Sequence, residues 1–163
     1  MALQNRTREA ILHGAKLEIA EVGSYESNMV DISTKAEVSR ATVYNHFADK
    51  EEMILALVES EIERLTNLAQ SADNPKDALL KLSRDISTDK ALAKMRQTDP
   101  TDIAKFVTKT DHSLWNLAYE SAMKVFGPTN GSLVVHWLIS QIGSPLTESE
   151  SALQSEKLSK AFV

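Results

Sequence analysis

Cysteine is absent from the 163-residue chain, which excludes a disulfide framework, a thiolate nucleophile and any cysteine-based zinc site, and fits a reducing cytoplasm. Long apolar runs are missing too, and the opening MALQNRTREA lacks the apolar core of a signal peptide, so neither secretion nor a membrane span is expected. Asn5-Arg6-Thr7 and Asn130-Gly131-Ser132 are therefore glycosylation sequons in form only. Nor is there a Gly-x-Ser-x-Gly elbow, a His-Glu-x-x-His pair, a phosphate loop or a dinucleotide fingerprint. The four His make no i, i+4 metal spacing, and Asp111 and His112, adjacent in sequence, would not face each other on a helix. No enzyme, metal or cofactor is expected. Internal repeats and low-complexity tracts are also lacking.

What the chain does contain is a dense local grammar between Asn28 and Lys50. Asn28 is a good N-cap with Asp31 three residues on, so a short helix starts at Met29 and places Ile32 and Ala36 on one face. Val38 plugs a turn. Ser39 supplies the oxygen of a second cap, and Val43 and Phe47 recur at i, i+4 as the buried side of a second helix. The opposite side of that helix offers Arg40, Ala41, Thr42, Tyr44, Asn45 and His46. Small residues at Ser33 and Ala36 let the two helices cross closely. Asp49-x-x-Glu52 is a capping box that launches a third helix, with Lys50 in its first turn, where charge and free N–H groups suit phosphate. Two short helices joined in this way form a helix-turn-helix, whose second helix enters the major groove of DNA.

The run from Val38 to Glu51, ending in Tyr44-Asn45-His46-Phe47-Ala48-Asp49-Lys50-Glu51, resembles the signature of the tetracycline-repressor (TetR) family of bacterial transcriptional regulators, over roughly the first 60 residues. Two positions depart from that pattern: Ser33 stands where Ala is usual, and Glu37 where Gly is usual. A positive φ at Glu37 would carry strain of about 1 kcal/mol or more. The resemblance implies that Arg40, Ala41, Thr42 and Asn45 face base edges, with Ala41 offering its methyl to thymine. It implies phosphate contacts from Tyr44, His46 and Lys50, counts Ser39 at the start of the recognition helix among the DNA-binding residues, and leaves Thr34, Lys35 and Arg6 as further backbone or minor-groove candidates.

Charge runs against a simple nucleic-acid coat. Residues 1–64 hold 7 Lys+Arg and 12 Asp+Glu, while residues 65–163 hold 11 of each. Position reconciles the two, because the basic residues Arg6, Arg8, Lys16, Lys35, Arg40 and Lys50 fall in the arm, first helix, turn motif and following cap. Most acids fall at the far end of the first helix or along the fourth. The expectation is a small basic face on an acidic molecule, with nonspecific affinity weak and steep in salt.

The remaining pattern is helical throughout. A first helix spans about Thr7 to Val22, capped by Gly23, and a fourth runs from the capping box to about Gln70. Asn74-Pro75 opens a helix to about Thr88, followed by a short piece around Ala91–Met95 and a helix starting at Asp99-Pro100 with Ile103, Phe106 and Val107 inward. Leu114 to Val125 follows, ended by Gly127-Pro128. Leu133–Ile139 is β-rich and follows Asn-Gly, so a buried strand competes there; helix is preferred because the pattern extends to Ile142 and no other segment offers a strand partner. It should be buried on both sides, against its own domain and a second subunit. Thr147-x-x-Glu150 caps a last helix with Leu153, Leu158 and Phe162 inward. The fold class is thus all-α with about nine helices: a helix-turn-helix head at residues 1–50, a connecting helix at about 50–70, and a helical body at 71–163.

Met95, Phe106, His112, Trp115, Tyr119, His136 and Trp137 gather much of the aromatic, His and Met content in the second half. Apolar walls with a few polar tips suit a small apolar or aromatic ligand, although for any one of these residues a place in the core or dimer interface is the favoured reading. The resemblance implies a homodimer through the last long helices, a palindromic double-stranded operator and a repressor released by ligand. The competing reading is a dimerisation or effector-binding module whose turn motif no longer binds DNA.

Overall fold

The computed structural model describes residues 2–108 and 113–162. It contains ten helices: α1 (Ala2–Val22), α2 (Met29–Lys35), α3 (Arg40–His46), α4 (Lys50–Gln70), α5 (Pro75–Thr88), α6 (Lys90–Thr98), α7 (Pro100–Thr108), α8 (Ser113–Phe126), α9 (Pro128–Gly143) and α10 (Glu148–Ser159). Four starts are written locally. Asn28, Ser39, Asn74 and Thr147 cap α2, α3, α5 and α10 with their side-chain oxygens, and Thr147 with Glu150 completes the capping box in both directions. Helix α1 begins earlier than expected, so Arg6 lies on a helix and not on an arm. Among the described residues, no helix is long and apolar enough to cross a membrane.

The chain divides into two compact units: residues 1–59 with 90–100, and residues 60–89 with 101–163. In the first, Ile11, Leu12, Ala15 and Ile19 of α1 meet Met29 and Ile32 of α2, Val43 of α3, Phe47, and Met53, Ala56 and Leu57 of α4. Ala91 of α6 joins this core with Met95 packed against it, so α6 belongs to the head unit and not to the body that sequence alone assigned it to. The close approach in this unit is between α1 and α2. A Cβ on Gly14 would sit 2.8 Å from the Ala36 nitrogen and 2.9 Å from its Cβ, so the small residue at Ala36 serves α1.

The second unit packs α8 on α9 and sets α5 against both α9 and α10. Its core holds Ala69, Ala78, Leu79, Leu82, Phe126 and Val134. The β-rich segment is helical, and the Asn-Gly pair that suggested a hairpin lies inside α9. Gly131 is there because a Cβ would fall 2.6 Å from the Met123 backbone nitrogen of α8. One face of α9 is open, with Leu133 47% exposed, while Val134 and Val135 are buried. Helix α10 turns Ser151 and Ser155 inward and leaves Leu153 53% exposed, against the expectation that Leu153 packs inside. The reason is polar: the Ser83 hydroxyl of α5 donates to Gln141 Oε1 of α9 at 2.7 Å and lies 2.9 Å from the Ser151 hydroxyl.

Candidate nucleic-acid interface

The interface candidate is built from short-range hydrogen bonds that orient one seven-residue helix. Asn28 Oδ1 accepts from Val30 N and Asp31 N, both at 3.0 Å, and Asn28 Nδ2 donates to Asp31 Oδ2 at 2.7 Å. Helix α2 then ends in a Schellman arrangement: Val38 N donates to Ser33 O at 3.0 Å and Glu37 N to Thr34 O at 3.1 Å. That geometry requires the left-handed region at Glu37, which has φ 55°. Glutamate therefore holds a conformation that glycine adopts freely, with strain on the order of 1 kcal/mol. Ser33 accommodates its departure from Ala by donating its hydroxyl to Val30 O at 2.7 Å.

Ser39 opens α3, its Oγ accepting from Thr42 N at 3.1 Å and lying 2.8 Å from the Thr42 hydroxyl. Val43 and Phe47 are 0% and 3% exposed, and the Arg8 guanidinium lies over the Phe47 ring at 5.7 Å. Burying two residues four apart turns the rest of the helix outward. Arg40, Ala41, Tyr44 and Asn45 are exposed, as is Thr34 on α2; Thr42 and His46 are half-buried. After Phe47, Asp49 Oδ1 accepts from Glu52 N at 2.8 Å, while Glu52 Oε2 accepts from Ala48 N at 2.7 Å, one residue before the usual capping-box donor.

Two residues expected to reach DNA are engaged elsewhere. Lys50 Nζ donates to the carbonyls of Ser24, Tyr25 and Ser27 at 3.0, 2.9 and 2.9 Å, which uses all three ammonium hydrogens on the loop between α1 and α2. Lys35 Nζ lies 2.5 Å from Glu21 Oε2 and 3.5 Å from Glu18 Oε2, both on α1. The hydrogen bond to Lys35 holds the Glu21 carboxyl below the usual carboxylate range, and the same bond raises Lys35.

A residue that sequence reading cast only as the start of a helix completes the loop. Asp99 is buried, and its carboxylate accepts from Ser24 N at 2.9 Å, Tyr25 N at 3.2 Å and the Thr98 hydroxyl at 2.6 Å. Gly23 makes room for it, since a Cβ there would lie 2.5 Å from Asp99 Oδ2, and the glycine has φ 92°. No local signal announces this contact, which joins residues 75 positions apart.

The residues expected to line a ligand site fall into separate groups. Phe106 and Trp115 stack with centroids 4.9 Å apart, and Trp115 Nε1 donates to Phe106 O at 3.1 Å. Tyr119 and His136 form a second pair, hydroxyl to Nε2 at 3.4 Å, with His136 Nδ1 2.8 Å from Ser132 O. Met95 packs in the first unit's core and is not brought to either pair, and His112 lies outside the described residues. Among the described residues, no group of three or more His, Asp or Glu is placed to hold a metal ion.

Comparison with known proteins agrees with this geometry. Residues 11–57 match the model of the bacterial regulatory proteins of the tetR family. An uncharacterized HTH-type transcriptional regulator, YxbF of Bacillus subtilis, is 32% identical over 89 residues, which make up 54% of this chain and 22% of that protein. The chain thus spans about a fifth of that relative's length. Among solved structures, the TetR family repressor AlkX from a Dietzia strain aligns with TM-score 0.70 at 16% identity, covering 95% of this chain and 94% of its own. The fatty acid degradation regulator FadR from Bacillus halodurans aligns with TM-score 0.60 at 15% identity, covering 96% and 94%. The same all-α fold thus extends over the described residues, and residues 11–57 are similar to the bacterial regulatory proteins of the tetR family.

Proposed function

We propose that the chain is a sequence-specific DNA-binding regulator that acts as a homodimer on a palindromic operator. The observation that carries this reading is α3 itself: a capped seven-residue helix anchored by Val43 and Phe47 that turns Arg40, Ala41, Tyr44 and Asn45 to solvent. Arg and Asn make bidentate bonds to base edges, Ala meets the thymine methyl, and Tyr44 bonds phosphate. Two such heads, related by the dimer twofold, would enter successive major-groove faces. The open side of the α8–α9 pair, where Met123 and Leu133 are 37% and 47% exposed, supports pairing of two copies. Repression relieved by a small apolar or aromatic ligand is the regulatory part of the proposal. The Phe106–Trp115 and Tyr119–His136 pairs are its candidate lining, and coupling of about 1 to 3 kcal/mol would be typical.

Selection of bound fragments from a random DNA pool, with purified protein at near-physiological salt, tests the reading. An enriched palindrome supports it and supplies a site for ligand screening. A folded dimer that enriches nothing favours the second reading, an interaction module, to which the excess of acids over bases in residues 1–64 already lends weight.

A further inference from the structure

We infer that the Tyr25 hydroxyl, in the loop between α1 and α2, is a further contact to the DNA backbone and donates to the phosphate that meets the Lys50 ammonium. This rests on the DNA-binding reading and gives it a contact outside the turn motif and its caps.

Tyr25 is 76% exposed, the most open large apolar side chain among the described residues, and its hydroxyl has no hydrogen-bond partner among them. Its backbone is held the opposite way. Asp99 Oδ1 accepts from Tyr25 N at 3.2 Å and Lys50 Nζ donates to Tyr25 O at 2.9 Å, so two charged groups fix a residue whose ring stands in solvent. The three acceptors of Lys50 are neutral carbonyls, which leave its positive charge uncancelled, and its side chain is only half-buried. A phosphate is still drawn to that charge and can replace one carbonyl at the ammonium. Its oxygen would then lie about 2.8 Å from Nζ, within the length of one tyrosine side chain from the Tyr25 backbone. The other loop residues do not offer the same group. Ser27 is buried and donates its hydroxyl to Ser24 O at 2.7 Å, Ser24 is half-buried, and the exposed Glu26 carries a charge that phosphate repels. Tyr25 is the exposed neutral donor, and tyrosine hydroxyls serve as phosphate donors. Because Asp99 and Lys50 already order the loop, binding has only the tyrosine side chain left to immobilise.

The test measures operator affinity of the full chain across about 50 to 300 mM KCl for the wild type, Tyr25→Phe, Lys50→Met and the double variant, with melting temperatures alongside. Tyr25→Phe removes one exposed hydroxyl and keeps the ring, so the melting temperature should not move. Affinity should fall by roughly three- to tenfold per head, alike on every operator sequence. The hydroxyl is neutral, so this loss should run parallel to the wild type in log K against log salt, whereas Lys50→Met flattens the slope by about 0.9 per head. Since both residues meet one phosphate, Tyr25→Phe should cost less in the Lys50→Met background. Ethylating that phosphate should weaken the wild type more than it weakens Tyr25→Phe. Wild-type affinity in Tyr25→Phe, a loss confined to one operator variant, or full additivity with Lys50→Met overturns the inference and leaves the DNA-binding reading standing. Should Lys50→Met fail to fold, Tyr25→Phe against the wild type decides alone. A wild type that binds no DNA even at the lowest salt overturns the DNA-binding reading itself, and the Tyr25 contact with it.

Discussion

Asp99 and Lys50 hold opposite ends of one peptide unit. The Tyr25 N–H donates to Asp99 Oδ1 at 3.2 Å, and the Ser24 carbonyl of the same peptide bond accepts from Lys50 Nζ at 3.0 Å. A carboxylate and an ammonium thus polarise the peptide between them, and each bond strengthens the other. The consequence is a rigid α1–α2 loop tied at once to the head of α4 and to the end of α6. Asp99→Asn removes the charge and leaves one oxygen for two amide donors, so it should destabilise the chain by about 1–3 kcal/mol. Urea denaturation measures this, and an unchanged midpoint would show that water replaces the carboxylate without loss.

Glu37→Gly should raise stability by about 1 kcal/mol or slightly less, because it releases left-handed strain at the end of α2 while loosening the unfolded chain. Glu37→Ala retains a Cβ at the same φ and should recover little of this. Thermal denaturation of the two variants side by side separates relief of strain from loss of the Glu37 charge, since both remove the carboxylate.

The ion pair of Lys35 with Glu21 makes a pH prediction with a definite sign. Glu21 titrates below its ordinary 4.5 in the folded chain, so its contribution is present above that value and fades as pH falls through the folded one. Lys35 titrates above its ordinary 10.5, so its contribution is present below that value and fades as pH rises past it. The stability gap between wild type and Lys35→Gln should therefore be widest between 4.5 and 10.5 and close on the acid side. A gap that persists at full strength well below the carboxylate range would trace the effect to packing of the lysine stem.

On DNA, roles separate by how a substitution treats different sequences. Tyr44→Phe should weaken binding alike on every operator variant. Asn45→Ala should relax the preference for one base by about 1–3 kcal/mol. Thr42, whose hydroxyl lies 2.8 Å from that of Ser39, should show a smaller change in preference than Asn45. Equal losses on all operators from all three would undo this division of labour.

Legibility from sequence followed the range of the interaction. Asn28, Ser39, Asn74-Pro75 and Thr147 announce their helices because a cap bonds backbone two or three residues away, and those starts stand where they were read. The helix over Leu133–Ile139 was decided by length against its β-rich composition, and the reason for Gly131 emerged only with Met123 beside it. The bonds of Lys35 and Lys50 within the head escape a local reading because their partners lie 14 and 23 to 26 residues back. Leu153 misled for a different reason: apolar spacing favoured it, but α10 is seated by hydroxyls.

That seat bears on how α10 keeps its place. Ser151 and Ser155 are spaced one helical turn apart on the same buried side, and Ser155 Oγ has no hydrogen-bond partner among the described residues. Sliding α10 by a single turn would bring Ser155 opposite Ser83, so the hydroxyl pairing at the centre reads the same in two neighbouring registers. The vernier is set elsewhere, by groups that do not repeat every four residues: Gln154 accepts from Trp137 Nε1 at 2.7 Å, and Glu148 pairs with Arg84. A turn's displacement would put Leu158 against the indole N–H and strand its donor. The last helix is thus threaded like a bolt with two equivalent notches, and the Trp137–Gln154 bond is the pin that selects one.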